Sequence, residues 1–307
     1  MDLKFPPPGK GNPPPMGPGF VPPKIDARKY KRKWLDIPYA SQSPAQKMDI
    51  YLPDEGDGPF PVIMQVHGGA FMLGSKGEVV SEPMIQGIYL GYAVADINYR
   101  LSGEAIFPAL VYDGKAAVRF LRANAAQYHL DGSRIAAWGQ SAGGHLAAML
   151  GTSAGVKELE DLQMGNPQES SAVQAVVVWY GPCENFIRMD IEFHESGLGV
   201  ADHSGADSPE SRLLGQKITE IPERVKFASP MTYITPAVPP FLIQHGAIDQ
   251  VVPVQQSINF AAELVKKAGM EKVVLEVLPG VYHGDPALET EANLARVFAF
   301  LDQHLKK

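Results

Sequence analysis

From Trp34 onward, short apolar, β-branched runs alternate with stretches of helical periodicity, and this alternation limits the possible folds more than any other feature. Lys47–Leu52, Phe60–Val66, Ala93–Tyr99, Arg134–Trp138, Val173–Tyr180, Pro240–Gln244 and Val273–Leu278 are expected as strands. Glu82–Leu90, Leu110–Tyr128, Ala142–Leu150, Val254–Ala268 and Ala287–His304 are expected as helices. Runs such as AVVVWY, ending at Tyr180, offer no polar face, so they belong in a sheet covered on both sides. Parallel neighbours need crossover connections, which the helices between the strands provide. In Leu110–Tyr128, Val111, Ala117, Val118 and Leu121 share one side, with Arg119, Arg122 and Asn124 elsewhere. The expectation is one α/β domain, a doubly wound, mostly parallel sheet of about eight strands.

Two segments depart from the alternation. Phe5 to Pro23 holds nine prolines and four glycines and cannot fill a helix or a sheet ladder. A basic cluster follows (Lys24, Arg28, Lys29, Lys31, Arg32 and Lys33), read as a solvated face. Residues 1–33 are therefore expected to form an arm and 34–307 the domain. Between Tyr180 and Pro240 the periodicity is weak over about 60 residues, too long for a plain connection. Insertions after strand C-termini overhang the ligand crevice of an open parallel sheet, so about 181–238 is expected to be a cap after the sixth strand.

Composition narrows the function classes. With 307 residues, 45% of them hydrophobic and 20% charged, the chain can bury a large core. The single cysteine, Cys183, excludes an internal disulfide and a multi-cysteine metal site and is read as a small buried apolar residue. A net charge of −7 lacks the basic footprint of a nucleic-acid binder. No apolar run approaches the roughly 18–20 residues of a membrane span. The N-terminus has no apolar h-region of a signal peptide, which points to a cytoplasmic address. Secretion after removal of a signal peptide is the alternative.

Gly139-Gln140-Ser141-Ala142-Gly143 lies between an expected strand and an expected helix, the setting of a nucleophile elbow. The turn is so tight that side chains beside the serine would collide with the chain, and the helix points its positive end at the hydroxyl. A serine hydroxyl needs a base, and the base needs a carboxylate to orient it. Asp249 follows the strand PFLIQHG and His283 follows VVLEVLPG, in the expected order of acid before histidine. Asp285 is the rival acid, in the wrong order. His245 is read as a loop hydrogen-bonding residue, His145 as packing in its helix, and His67 as structural. His67-Gly68-Gly69-Ala70 follows a strand where a loop would donate amides to an oxyanion. Gly69, Ala70 and Ala142 are the expected donors, with Gly68 giving the loop room. Trp179, Phe71 and Tyr180 are the expected substrate-lining residues, and Phe186, Phe193 and Tyr233 further crevice aromatics.

HGGAF, NYRL, FPALVYDGKAAVRFLRANAAQY, DGSRIAAWGQSAGGHLAA, SPESRLLG and PPFLIQHGAIDQVVPVQQS resemble the α/β-hydrolase superfamily. They are most similar to its hormone-sensitive-lipase-like esterases and the feruloyl and acetyl-xylan esterase group, over about residues 34–305. The resemblance implies the α/β-hydrolase fold and a serine carboxylesterase with Ser141, Asp249 and His283 as its triad and no metal or organic cofactor. It also implies short-chain acyl or hydroxycinnamoyl esters as substrates, including polysaccharide-linked ones, with no nucleic-acid or membrane partner. Ala70-Phe71 departs from relatives that carry glycine or tryptophan there, which bears on pocket shape but not on backbone donation. The same triad also serves amidases of the kynurenine formamidase type, and the fold serves non-catalytic small-molecule receptors.

Overall fold

The computed structural model describes residues 22–306. Eight strands form one sheet: β1 (Lys33–Pro38), β2 (Lys47–Tyr51), β3 (Phe60–Val66), β4 (Ala93–Ile97), β5 (Leu130–Gln140), β6 (Ala175–Trp179), β7 (Phe241–Gly246) and β8 (Val273–Leu278). Their spatial order is β1-β2-β4-β3-β5-β6-β7-β8. β2 is antiparallel to both of its neighbours, and all pairs from β4 to β8 are parallel. The helices are α1 (Glu82–Ile85), α2 (Ala109–Ala123), α3 (Ala142–Thr152), α4 (Phe186–Ser196), α5 (Pro209–Leu214), α6 (Pro222–Phe227), α7 (Val254–Ala268) and α8 (Glu291–Leu305). None of the described helices is long and apolar enough to cross a membrane.

Successive side chains of the central strands enter two separate apolar layers. Val62, Met64 and Val66 of β3 pack with Leu146 and Leu150 of α3 and Phe260 and Leu264 of α7. Ile63 faces the other layer, with Met84 and Ile85 of α1 and Leu294, Val297 and Leu301 of α8. Both faces exclude water, which explains strands without alternating polarity. At roughly 1.5–3 kcal/mol for each fully buried aliphatic side chain, these two layers are the main stabilising term.

The differences from the expected elements have local causes. β1 was not expected: it is a half-exposed edge strand whose register shifts between Trp34 and Ile37, so its periodicity is broken. The expected helix Glu82–Leu90 is one α-helical turn followed by a 3₁₀ turn over Gln86–Leu90. The expected helix from Ala287 begins as a 3₁₀ turn at Pro286, and α8 starts after Thr290, whose side chain accepts the Asn293 amide. Arg119 lies inside rather than outside, paired with Glu160 at 2.6 Å and donating to the Asp161 carbonyl at 2.8 Å.

Most of the expected proline-rich arm lies outside the described residues. The arm boundary at residue 33 needs correction: Ile25 and Tyr30 are buried in the layer under α1 and α8. Tyr30 meets Tyr51 edge-on at 5.1 Å. The basic cluster is partly paired, Lys24 with Glu78, Lys31 with Asp54 and Arg28 with Asp26. The insertion after β6 contains α4, α5 and α6. Asn185 caps α4 by accepting the Ile187 amide at 2.9 Å, and Phe186, Met189 and Phe193 bury its apolar side.

Candidate active site

Ser141 stands between the last residue of β5 and the first of α3. Its φ of 54° and ψ of −123° lie where residues with a side chain are strained. Close packing holds it there. A Cβ on Gly139 would sit 2.0 Å from the Gly143 carbonyl oxygen, and one on Gly143 would sit 2.1 Å from that of Val66. Only glycine lets the start of α3 come this close to both strands. The Ser141 amide donates to the Trp179 carbonyl at 2.9 Å, so β6 fixes the turn from its other side.

Three side chains from distant stretches of chain meet at this turn. His283 Nε2 lies 3.0 Å from Ser141 Oγ, and His283 Nδ1 lies 2.7 Å from Asp249 Oδ2. Asp249 is 1% exposed. Its Oδ1 accepts the amides of Val251 and Val252 at 2.8 and 2.9 Å, while Oδ2 also receives His245 Nε2 at 3.2 Å. Burial raises the carboxyl's pKa, but the facing His283 charge and the bonds from His245 and His283 outweigh it. The carboxyl is held well below the usual carboxylate range. An ionised Asp249 only accepts, so Nδ1 of His283 carries the proton and Nε2 is left free to take one from Ser141.

The other candidates have separate partners. Asp285 accepts the Ala287 amide at 2.8 Å and caps the turn that follows it. His245 Nε2 faces two acceptors, the Val252 carbonyl and Asp249, and its Nδ1 accepts the Ser257 hydroxyl at 2.7 Å. His145 bonds the Ala228 carbonyl at 2.8 Å, tying α3 to the insertion. Burial pulls the pKa values of both His67 and His145 down to about 4, so both are neutral. Cys183 is fully buried, and burial pushes its thiol far up. Among the described residues, no group of three or more His, Cys, Asp or Glu side chains could hold a metal ion.

The loop after β3 runs along the same turn: a Cβ on Gly68 would meet the Gln140 carbonyl oxygen at 3.0 Å and Ser141 Cβ at 3.4 Å. Gly69, Ala70 and Phe71 all have positive φ, at 115°, 52° and 61°. Consecutive residues of this kind curl their amides inward into an anion-binding concavity. Among the described residues, nothing accepts the amides of Gly69, Ala70 or Ala142. His67 braces the loop by stacking on Tyr99 at 4.4 Å, and the Tyr99 hydroxyl donates to the His67 carbonyl.

The structure places the expected substrate-lining aromatics among closely packed side chains. Trp179 is fully buried, its indole N–H on Gln244 and its ring against Trp138. Phe71 is 1% exposed, wedged between His145 and Phe186. Tyr180 is 6% exposed: its ring meets His283 edge-on at 4.6 Å and its hydroxyl donates to Gln140 at 2.9 Å. Phe186 and Phe193 are buried in packing, and the Tyr233 hydroxyl donates to the Phe227 carbonyl. The two amides that hold Asp249 were not anticipated, although an aspartate accepting amides two and three residues on is the signature of an Asx-type turn.

Other proteins share this arrangement of chain. The esterase LipQ of Mycobacterium tuberculosis is 33% identical over 83% of this chain. The chain spans 58% of LipQ's length, and 58 to 62% of three mycobacterial relatives that it matches. Among solved structures, a truncated carbohydrate esterase from gut microbiota is 32% identical with a TM-score of 0.81, over 94% of this chain and 100% of that one. A bifunctional GH43-CE protein of Bacteroides eggerthii is 35% identical with a TM-score of 0.77, over 89% of this chain and 35% of that one. The mostly parallel eight-stranded sheet and its flanking helices are those of the α/β-hydrolase fold. Since the BD-FAE family model matches residues 48–264, from β2 through most of α7, the chain belongs to the BD-FAE family.

Proposed function

We propose that this chain is a serine carboxylesterase acting on short-chain acyl esters carried on carbohydrate. Ser141 Oγ attacks the ester carbonyl carbon as its proton passes to His283 Nε2. Asp249 holds the imidazole in register and stabilises the imidazolium. Negative charge on the former carbonyl oxygen is met by the amides of Gly69, Ala70 and Ala142, at the positive end of α3. The carbon–alkoxy bond then breaks, and the leaving alcohol takes the proton from Nε2. Water repeats the sequence on the acyl-serine: it gives a proton to Nε2, bonds to the carbonyl carbon, and the Ser141 oxygen leaves with that proton. Ester, water and products balance, and the protein is regenerated.

The observation that carries this reading is the continuous hydrogen-bonded path from Ser141 through His283 to Asp249, at 3.0 and 2.7 Å. The carbohydrate preference rests on the similar structure described as a carbohydrate esterase from gut microbiota. The test has two parts. A fluorophosphonate probe should label the wild-type protein and not Ser141→Ala; labelling of both ends the assignment of the nucleophile. A panel of acetylated xylo-oligosaccharides, feruloylated oligosaccharides, p-nitrophenyl acetate and butyrate, and N-formylkynurenine then ranks kcat/KM. A highest value on the formamide refutes the ester reading, and a highest value on the feruloyl compound refutes the short-chain one.

A further inference from the structure

Tyr180 follows β6 directly and has the unusual φ of 40°. Three of its contacts are to the parts of the site that must hold still. Its ring packs edge-on against the His283 imidazole, with centroids 4.6 Å apart and planes at 66°. Its hydroxyl donates to Gln140, the residue before Ser141, at 2.9 Å. Its amide donates to the Gln244 carbonyl at 2.8 Å, which fixes it to β7, the strand leading towards Asp249. The preceding Trp179 carbonyl accepts the Ser141 amide. The dipeptide Trp179-Tyr180 therefore touches the nucleophile's backbone, the nucleophile's neighbour and the base.

We infer that Tyr180 is a positioning residue whose ring fixes the His283 imidazole between Ser141 and Asp249. The inference rests on the reading of those three residues as the catalytic groups. His283 sits on a loop rather than within a strand or helix, and its side chain is 16% exposed. Its two hydrogen bonds set where the ring nitrogens lie, and the Tyr180 ring provides a wall against swings of the side chain that would break them. The strained φ fits this assignment, because such backbone persists where the surroundings over-determine it.

The experiment compares Tyr180→Leu, which removes the ring, with Tyr180→Phe, which keeps it and removes the hydroxyl. With p-nitrophenyl acetate, Tyr180→Leu should lose about 10- to 100-fold in kcat with KM within about threefold, as for loss of orientation alone. Tyr180→Phe should restore kcat to within about threefold. A leucine variant with wild-type kcat overturns the inference, as does a loss confined to KM or a phenylalanine variant as impaired as the leucine one. If Tyr180→Leu does not fold, Tyr180→Met, which fills irregular space, takes its place under the same criteria. Fluorophosphonate labelling of the wild type runs alongside: absent labelling refutes the nucleophile itself, whereas normal labelling with an indifferent Tyr180 refutes only the positioning role.

Discussion

Replacing Asp249 by asparagine should remove nearly all activity while preserving the fold, for a reason that can be worked through atom by atom. The carboxylate accepts from four donors: the amides of Val251 and Val252 on Oδ1, and His283 Nδ1 and His245 Nε2 on Oδ2. An asparagine offers one oxygen and one NH₂. With the NH₂ towards Val251 and Val252, both amides lose their acceptor, at about 1–3 kcal/mol for the buried Val252 amide. The favoured orientation therefore keeps the oxygen there and turns the NH₂ to the imidazoles. His245 can keep its bond to the Val252 carbonyl at 2.9 Å. His283 cannot adapt so simply: its Nδ1 must now accept, which places its proton on Nε2, facing Ser141. The base is then in the wrong tautomer, a defect of about 10³–10⁴ in kcat, or about 4–5 kcal/mol of barrier. Steady-state hydrolysis of p-nitrophenyl acetate and the rate of fluorophosphonate labelling both report it. Asp285→Asn is the control and should stay within about threefold of wild type, since that carboxylate accepts the backbone amides of Ala287 and Tyr282 rather than a proton from His283. An Asp249→Asn protein within tenfold of wild type, or an equal loss in the Asp285 variant, would refute the reasoning. Asp249 also fixes how acid acts: its depressed pKa contributes stability above the ordinary carboxylate range that is lost only in strong acid.

Three further outcomes follow from the same geometry. Ser141→Gly should melt above Ser141→Ala, although glycine ordinarily costs about 0.5–1 kcal/mol relative to alanine, because the strained φ of 54° is worth roughly 1–3 kcal/mol; the reverse order in a thermal scan shows that the turn is not strained. Gly143→Ala should lower both the thermal midpoint and, by a hundredfold or more, the activity, since its Cβ would lie 2.1 Å from the Val66 carbonyl oxygen; a wild-type midpoint contradicts the packing argument. Burial pushes the Asp96 carboxyl from 3.8 up to about 7, so the folded protein holds a proton that the unfolded chain releases, and stability should fall as pH rises from about 4 to 7. The drop is at most about 4 kcal/mol at 1.36 kcal/mol per pH unit, and Asp96→Asn should flatten it in urea titrations at pH 4.5 and 7.5.

Much of the fold was readable because several strands and helices obey local rules. β3 and β8 begin and end where their apolar runs do, and α7 spans its periodic stretch. The serine turn was legible for a steric reason, glycines being demanded on both sides of Ser141 by backbone contacts near 2 Å. Asp249 and His283 were legible because each follows the C-terminal end of a parallel strand, and such ends converge on one rim of the sheet. The insertion was not, beyond its existence. Its helices α5 and α6 have six residues each, too short to show a periodicity, and are held by packing rather than by propensity. The polar residues of α2 misled for a related reason: Arg119 is buried because Glu160, 41 positions away, pairs with it.

Where Trp179 points depends on register, which is a non-local quantity. Gln140 pairs with Trp179 across β5 and β6, and directly paired residues point to the same face of a sheet. Gly139 turns towards α3, because its missing side chain would strike Gly143. Gln140 therefore turns the other way, towards the layer under α8, and Trp179 must follow it there, away from the crevice. A one-residue slip of β6 against β5 would have brought Trp179 to the crevice instead. Nothing within the run AVVVWY distinguishes the two registers, because it is apolar at every position. The Trp179 indole N–H on Gln244 and the Tyr180 hydroxyl on Gln140 are the polar contacts that separate them, and both join strands far apart in sequence.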